Sequence, residues 1–312
     1  LKELSVEDLN ALLNEVLEGL SLKKGAKVID CTLGDGGHSE AIMDIIGPRG
    51  KLLGLDADPE SLLRAKRFLY RFEDQIVFIR ENFANLKKTA TENDFLQVDG
   101  ILFDLGWSSP QFAERSRGFS FDKDEPLNMR YDNKCQVFGN ENCVDAAHII
   151  NEYNLEDLVW IFKNYGEEDL SIEIAQAILK ERKNKKITTS KDLTEIVLEV
   201  YRQKLRTDKE IPWVGGLHPA TKVFQALRIA VNNELEILSN VLPDAFELLK
   251  SGGRLAVISF HSLEDRIIKH FFQSLPYAKA KIITKKPITA TEQEINQNPR
   301  ARSAKLRIIE KI

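Results

Sequence analysis

The run Val28-Ile-Asp-Cys-Thr-Leu-Gly-Asp-Gly-Gly-His-Ser39 sets an acid, Asp30, just ahead of a turn holding Gly34, Gly36 and Gly37, with His38 behind them. Glycines at a helix N-terminus let backbone amides approach a ligand that side chains would repel. Asp56 follows Gly36 by 20 residues, the spacing at which an acid accepts hydrogen bonds from ribose hydroxyls. A third acid, Asp104, ends the apolar run Val98-Asp-Gly-Ile-Leu-Phe-Asp104. The dinucleotide fingerprint wants glycine or alanine at its sixth place, which is Ser39 in this chain. A carboxylate at Asp30 would repel a pyrophosphate, yet it suits a cationic amino group. Capping the next helix is its other use.

The remaining polar residues carry weaker signals. His38 lacks partner ligands at metal-site spacing, so no metal is expected. Cys31, Cys135 and Cys143 form no CxxC pair and read as free thiols of a reducing compartment.

Alternating strand and helix signals position the three acids. Strands are expected at 27–31, 51–56, 75–79 and 98–104, with a helix over 59–69 opened by Pro59. Such alternation implies a mostly parallel sheet covered on both faces. From about Ser108 to Gly216 no buried strand is legible. Helices are expected over 154–166, with an Asn start and a Gly stop, and from Ser190 to Tyr201. The α/β rhythm returns with a helix over 235–250, interrupted or kinked near Pro243. A strand over 251–260, a helix over 262–272 and a closing strand over 304–310 follow. The expected organisation is one α/β domain, 1–110 with 216–312, split by an all-helical insertion, 111–215. Of 312 residues, 43% are hydrophobic and 29% charged, the balance of a globular protein with no membrane span. A net charge of −4 excludes indiscriminate nucleic-acid binding and requires a local basic patch.

Leu249-Lys-Ser-Gly-Gly-Arg-Leu-Ala-Val-Ile258 resembles the turn leading into the fifth strand of class I methyltransferases. With Asp30 it favours S-adenosylmethionine over a nicotinamide dinucleotide. Longer strings are more specific: Asp104-Leu-Gly-Trp-Ser-Ser-Pro-Gln111, Arg117-Gly-Phe-Ser-Phe121, His218-Pro-Ala-Thr221, Phe224–Glu234, Ile258–Arg266 and Asn298–Arg307. Together, in this order, they resemble the small-subunit ribosomal RNA cytosine-N4 methyltransferases of the MraW type.

The resemblance implies a class I, Rossmann-like fold with a mostly parallel seven-stranded sheet, and a helical insertion that recognises substrate. It implies a cytoplasmic enzyme that methylates the N4 amino group of a cytidine in the decoding region, acting on ribosomal RNA or on the assembled small subunit. A homodimer is left open. Carried over by position, Gly36, Gly37, His38, Asp56, Phe83, Asp104 and Gln111 contact cofactor. The catalytic candidates are Asp104, which binds cofactor, positions N4 or does both, Trp107, which stacks on an extruded base or fills core, and His261, in the polar run after an apolar segment, where catalysis, RNA contact and helix capping compete. Arg300, Arg302, Lys305 and Arg307 are expected to bind RNA, with the basic runs Arg182–Lys186 and Arg202–Arg206 adding to them. The chain departs from the family at Asp8-Leu-Asn-Ala11, Trp107, Asn128 and Val214–Leu217. A methyltransferase for another amino group, or an RNA-binding assembly factor without catalysis, would share parts of this pattern.

Overall fold

The computed structural model describes residues 10–105, 116–131, 144–207 and 217–312. Two compact units result, Leu1–Ser108 with Leu235–Ile312, and Ser109–Glu234.

The first unit opens with α1 (Leu13–Leu20), β1 (Lys27–Asp30), α2 (Gly37–Ile46), β2 (Lys51–Asp56), α3 (Pro59–Phe68), β3 (Ile76–Arg80), α4 (Leu86–Glu92) and β4 (Val98–Asp104). In the second unit lie α5 (Ala146–Glu152), α6 (Leu155–Tyr165), α7 (Ser171–Glu181), α8 (Ser190–Leu205) and α9 (Thr221–Asn232). The chain then runs through α10 (Glu234–Leu248), β5 (Leu249–Ser259), α11 (Ser262–Ser274), β6 (Ala280–Ile282), β7 (Ile288–Thr289), α12 (Glu292–Gln297) and β8 (Lys305–Lys311).

The sheet has the order β3-β2-β1-β4-β5-β8-β6, and β7 also pairs with β8. Seven strands thus form the expected path, with the two-residue β7 as an eighth. Pairing is parallel from β3 to β5 and antiparallel at β8, the class I methyltransferase arrangement. Alternate residues of the central strands feed two cores. Ile29, Leu53, Phe103 and Val257 pack with α4, α10 and α11. Val28, Leu52, Leu102 and Ala256 pack with α1, α2 and α3. A strand buried on both faces must be apolar at nearly every position. Asp30, 1% exposed, ends such a strand.

The helical unit has its own core, including Leu158, Phe162, Ile174, Leu193 and Val197. Val223, Phe224, Ala226 and Leu227 of α9 belong to it. This unit therefore takes in residues 216–234, past the expected boundary at 215, because the apolar face of α9 packs on α6. Thr189, not Ser190, caps α8 by accepting from the Asp192 amide. The Ser190 hydroxyl instead donates to the Lys123 carbonyl and accepts from the Glu125 amide. Helix α10 runs through Pro243 without ending, so the expected interruption is absent.

Candidate active site

The strand order reverses between β1 and β4, and ligands of open α/β sheets bind beside such a reversal, at the carboxyl ends of the strands. Asp30, Asp56 and Asp104 are the last residues of β1, β2 and β4.

Asp30 accepts from the Ser39 hydroxyl at 2.7 Å and the Thr32 amide at 3.1 Å. It bonds the helix through a side chain, not through the free backbone amides that a cap would serve. Burial raises its pKa, against lowering by Ser39, His38 and Thr32. Asp56 accepts from the Gly34 amide and the Asp58 amide, both at 2.8 Å. Burial lifts it to about 7, with those two bonds opposing and the charges of Asp58 and Asp30 adding. Each Asp56 oxygen keeps a lone pair beyond its backbone donor. The Asp104 amide donates to the Thr32 hydroxyl at 2.6 Å. Thr32, which sequence reasoning passed over, is therefore the clasp joining β1 to β4 at the site. Its only signal was its place at the strand end.

His38 is 5% exposed. Its Nε2 lies 3.2 Å from the Ala11 carbonyl and its Nδ1 3.6 Å from an Asp104 oxygen. Burial lowers its pKa despite Asp30 and Ala11, so the contact to Asp104 is that of a neutral ring. The Ala11 carbonyl makes Nε2 the protonated nitrogen and leaves Nδ1 facing Asp104.

The glycine turn serves the protein's own packing as well as any ligand. Gly36 has φ +94°, and a Cβ there would meet Leu69 Cδ1 at 2.8 Å. At Gly37 a Cβ would collide with the Asn10 side chain. Asn10 and Ala11 belong to the segment that departs from the family, and they pack against Gly37 and His38. Phe83 stands edge-on to Phe103, with centroids 5.5 Å apart, and packs on the first core.

The donor set suits a ligand that carries positive charge and hydroxyls. Three carboxylates lie close enough for Asp30 to feel Asp104 and for Asp56 to feel Asp30. Arg64, a guanidinium that reaches the turn, is already paired with Asp35 at 2.8 Å. A pyrophosphate would meet net negative charge, whereas a methionine amino group and ribose hydroxyls find acceptors. The residues present fit S-adenosylmethionine.

His261 is the N-cap of α11, in a reciprocal capping box with Glu264. Its Nδ1 accepts from the Glu264 amide and its Nε2 lies 3.1 Å from Glu264 Oε1. Nδ1 serves the cap, while the buried Nε2 makes no hydrogen bond among the described residues. Trp107, Gln111, Cys135 and Cys143 lie outside the described residues. Cys31 is a buried free thiol pushed up in pKa chiefly by burial.

Of the expected RNA contacts, Arg300 and Arg302 are exposed and Lys305 is partly so. Arg307 is 6% exposed and grips Asp265 in a two-point ion pair at 2.6 and 3.1 Å. It faces the inside of the first unit because alternate residues of β8 turn toward α11. The basic runs of the helical unit are also largely engaged. Arg182 donates to the Ile150 and Tyr153 carbonyls, Lys185 pairs with Asp192, and Arg202 with Glu195 and Glu199. A groove of about 850 Å³ in that unit mixes Lys180, Lys186 and Lys191 with Glu173, Glu181 and Glu195. It is lined by none of the site residues.

The strings that carried the resemblance within the helical unit knit its own fold. Arg117 donates to the Arg130 and Tyr131 carbonyls, and Phe121 stacks on His218 at 4.3 Å. Asn232 bonds the backbone of Met129 and Tyr131.

Residues 5–312 match the MraW methylase family. The chain is similar to "Ribosomal RNA small subunit methyltransferase H" of Clostridioides difficile (strain 630), 39% identical across 97% of this chain and 98% of that protein. The protein of that name from Coxiella burnetii (strain RSA 331 / Henzerling II) is 44% identical across 96% and 97%. Among solved structures, an rRNA methylase from Streptococcus thermophilus aligns with a TM-score of 0.43 at 11% identity, covering 96% of this chain and 92% of that one.

Proposed function

The chain belongs to the MraW methylase family, and on that premise we propose that it methylates small-subunit ribosomal RNA with S-adenosylmethionine as donor. The finer proposal is that the acceptor is the N4 amino group of a cytidine in the decoding region, modified in the cytoplasm. The observation that carries the reading is the convergence of Asp30, Asp56 and Asp104 at the ends of three adjacent parallel strands.

S-adenosylmethionine, when bound, supplies a methyl group on a positively charged sulfur. Asp56 would accept from the ribose hydroxyls through its spare lone pairs, Asp30 would hold the cationic amino group, and Phe83 would wall the adenine. Cytosine N4 is a weak nucleophile because its lone pair is spread into the ring. Asp104, accepting a hydrogen bond from an N4 proton, draws that nitrogen toward tetrahedral geometry and fixes its direction of attack. No base has to remove the proton first, since N4 becomes acidic once methylated. His38, anchored through its Nε2–H on the Ala11 carbonyl, packs beside the Asp104 carboxylate without donating to it. Arg300, Arg302 and Lys305 neutralise phosphates of the bound RNA, and the helical unit adds to substrate recognition.

The test is transfer of tritiated methyl from S-adenosylmethionine to assembled small subunits, naked small-subunit RNA and protein extract in parallel. The reading predicts label in RNA that chromatographs as N4-methylcytidine after digestion. Label confined to protein, or to another nucleoside, would overturn it.

A further inference from the structure

The outer edge of the sheet carries positive charge well away from the acids. Residues 275–290, Leu-Pro-Tyr-Ala-Lys-Ala-Lys-Ile-Ile-Thr-Lys-Lys-Pro-Ile-Thr-Ala, contain four lysines and no acid, in a chain of net charge −4. Lys279, Lys281, Lys285 and Lys286 are all exposed. Among the described residues, none of their side chains makes a hydrogen bond or ion pair. Tyr277, beside them, is 93% exposed.

Register places Lys305 and Lys281 at the two ends of this edge, and their odd separation across β8 sends their side chains to opposite faces of the sheet. β8 begins at Lys305, opposite Ser259 at the carboxyl end of β5, one residue beyond the pairing of Asp104 with Ile258. It then runs away from the acids to Lys311. On its outer edge β7 covers the near end, through Ile288 and Leu306, and β6 the far end, through Lys281 and Glu310. Lys305 and Lys281 therefore lie about 17 Å apart along the strand, at ~3.4 Å per residue. Lys285 and Lys286 fall between them, in the turn from β6 to β7. Glu310, opposite Lys281, is bound to Arg254 at 2.8 Å.

Lysines on an edge strand commonly guard against pairing with another sheet. That explains Lys279 and Lys281. It does not explain Lys285 and Lys286, which lie off the strand edge, or a tyrosine ring turned wholly to solvent. Unpaired cations following an edge, beside an open aromatic face, are what a single-stranded polyanion with stacking bases requires. We propose that an unpaired stretch of the RNA substrate follows this edge, its phosphates on Lys285, Lys286, Lys281 and Lys279, with a base stacked on Tyr277. This rests on the ribosomal RNA reading above and extends its footprint beyond the reacting nucleotide.

The test uses the full chain, its Lys279→Gln/Lys281→Gln/Lys285→Gln/Lys286→Gln variant, Tyr277→Ala and Tyr277→Phe. Each is titrated across a salt series with a short and a long unpaired RNA oligonucleotide, and assayed for methyl transfer to small-subunit RNA. For the long probe the quadruple variant should flatten the slope of log affinity against log salt by about 2.8, four phosphates at ~0.7 each. Tyr277→Ala should weaken that probe about tenfold, with Tyr277→Phe close to wild type. The short probe, S-adenosylmethionine affinity and kcat at saturating RNA should stay unchanged, while KM for RNA rises.

Unaltered slope and affinity in variants that still bind S-adenosylmethionine would overturn the proposal and leave the enzymatic reading standing. Weaker binding to assembled subunits alone, with naked RNA unaffected, would assign the edge to a ribosomal protein and overturn it equally. Absence of methyl transfer by the wild-type chain would sink the enzymatic reading whatever the slopes show.

Discussion

Asp56 is asked to bind ribose in its charged form, yet its surroundings raise its pKa to about 7. Ionised Asp56 is the stronger acceptor. S-adenosylmethionine affinity should therefore fall as pH drops through about 7, and calorimetric titration on both sides of neutrality would show it. Stability runs the other way. The folded chain holds this proton more tightly than the unfolded one, whose carboxyl titrates near 3.8. Between those values the folded state binds more protons, so the Asp56 contribution to stability falls as pH rises. Asp56→Ala would also free the Gly34 and Asp58 amides, so Asp56→Asn, which keeps one acceptor, is the cleaner variant. It should flatten both pH dependences and weaken the cofactor by about 1.5–3 kcal/mol, one charge-assisted hydrogen bond. For Asp104→Asn, turnover at saturating cofactor should drop at least about tenfold, because the N4 contact tightens only in the transition state. A rise in cofactor KM with kcat intact would make Asp104 a binding residue alone.

Arg307 shows how an element reassigns a residue. In sequence it stands among Arg300, Arg302 and Lys305. In structure β8 alternates, and Arg307 turns toward Asp265 of α11 with 8% of its side chain exposed. Arg307→Gln should cost about 3 kcal/mol, the low end for breaking a buried ion pair because Asp265 is 16% exposed. A denaturant titration would measure that loss, and the salt slope of RNA binding should not move. Elements with strong local signals were legible from residues alone: β2 and β4 as apolar runs, α3 from Pro59, and the acids at the strand ends. Short β6 and β7 were not, since three residues and two residues carry no period and owe their form to β8. Ser190 was read as a cap because sequence cannot tell a cap from a buried hydroxyl one residue later. Thr32 escaped notice, and Asn10 stood out only as part of a departing segment, for a related reason. What they do depends on β4 and on the glycine turn meeting them, which no spacing encodes.

At the scale of the molecule, two units with separate cores carry different loads. The sheet unit holds all the described acids of the site, and the helical unit binds its own segments through Arg117, Asn232 and the Phe121–His218 stack. Separate cores favour separate unfolding, and a single melting temperature is then poorly defined. Scanning calorimetry should resolve two transitions. A ligand that binds one folded unit stabilises that unit by RT ln(1 + [L]/Kd), about 2.7 kcal/mol at 100 times Kd. Saturating S-adenosylmethionine should accordingly raise the transition of the sheet unit and leave the other in place. Asp56→Asn should reduce the shift in proportion to its loss of affinity. A helical-unit substitution such as Phe162→Ala should lower the other transition alone by about 3–5 kcal/mol, since Phe162 is fully buried in that core. If both transitions moved together with cofactor, the acids at the sheet end and the helical core would form one cooperative structure, and cofactor binding would then stabilise the helical unit as well.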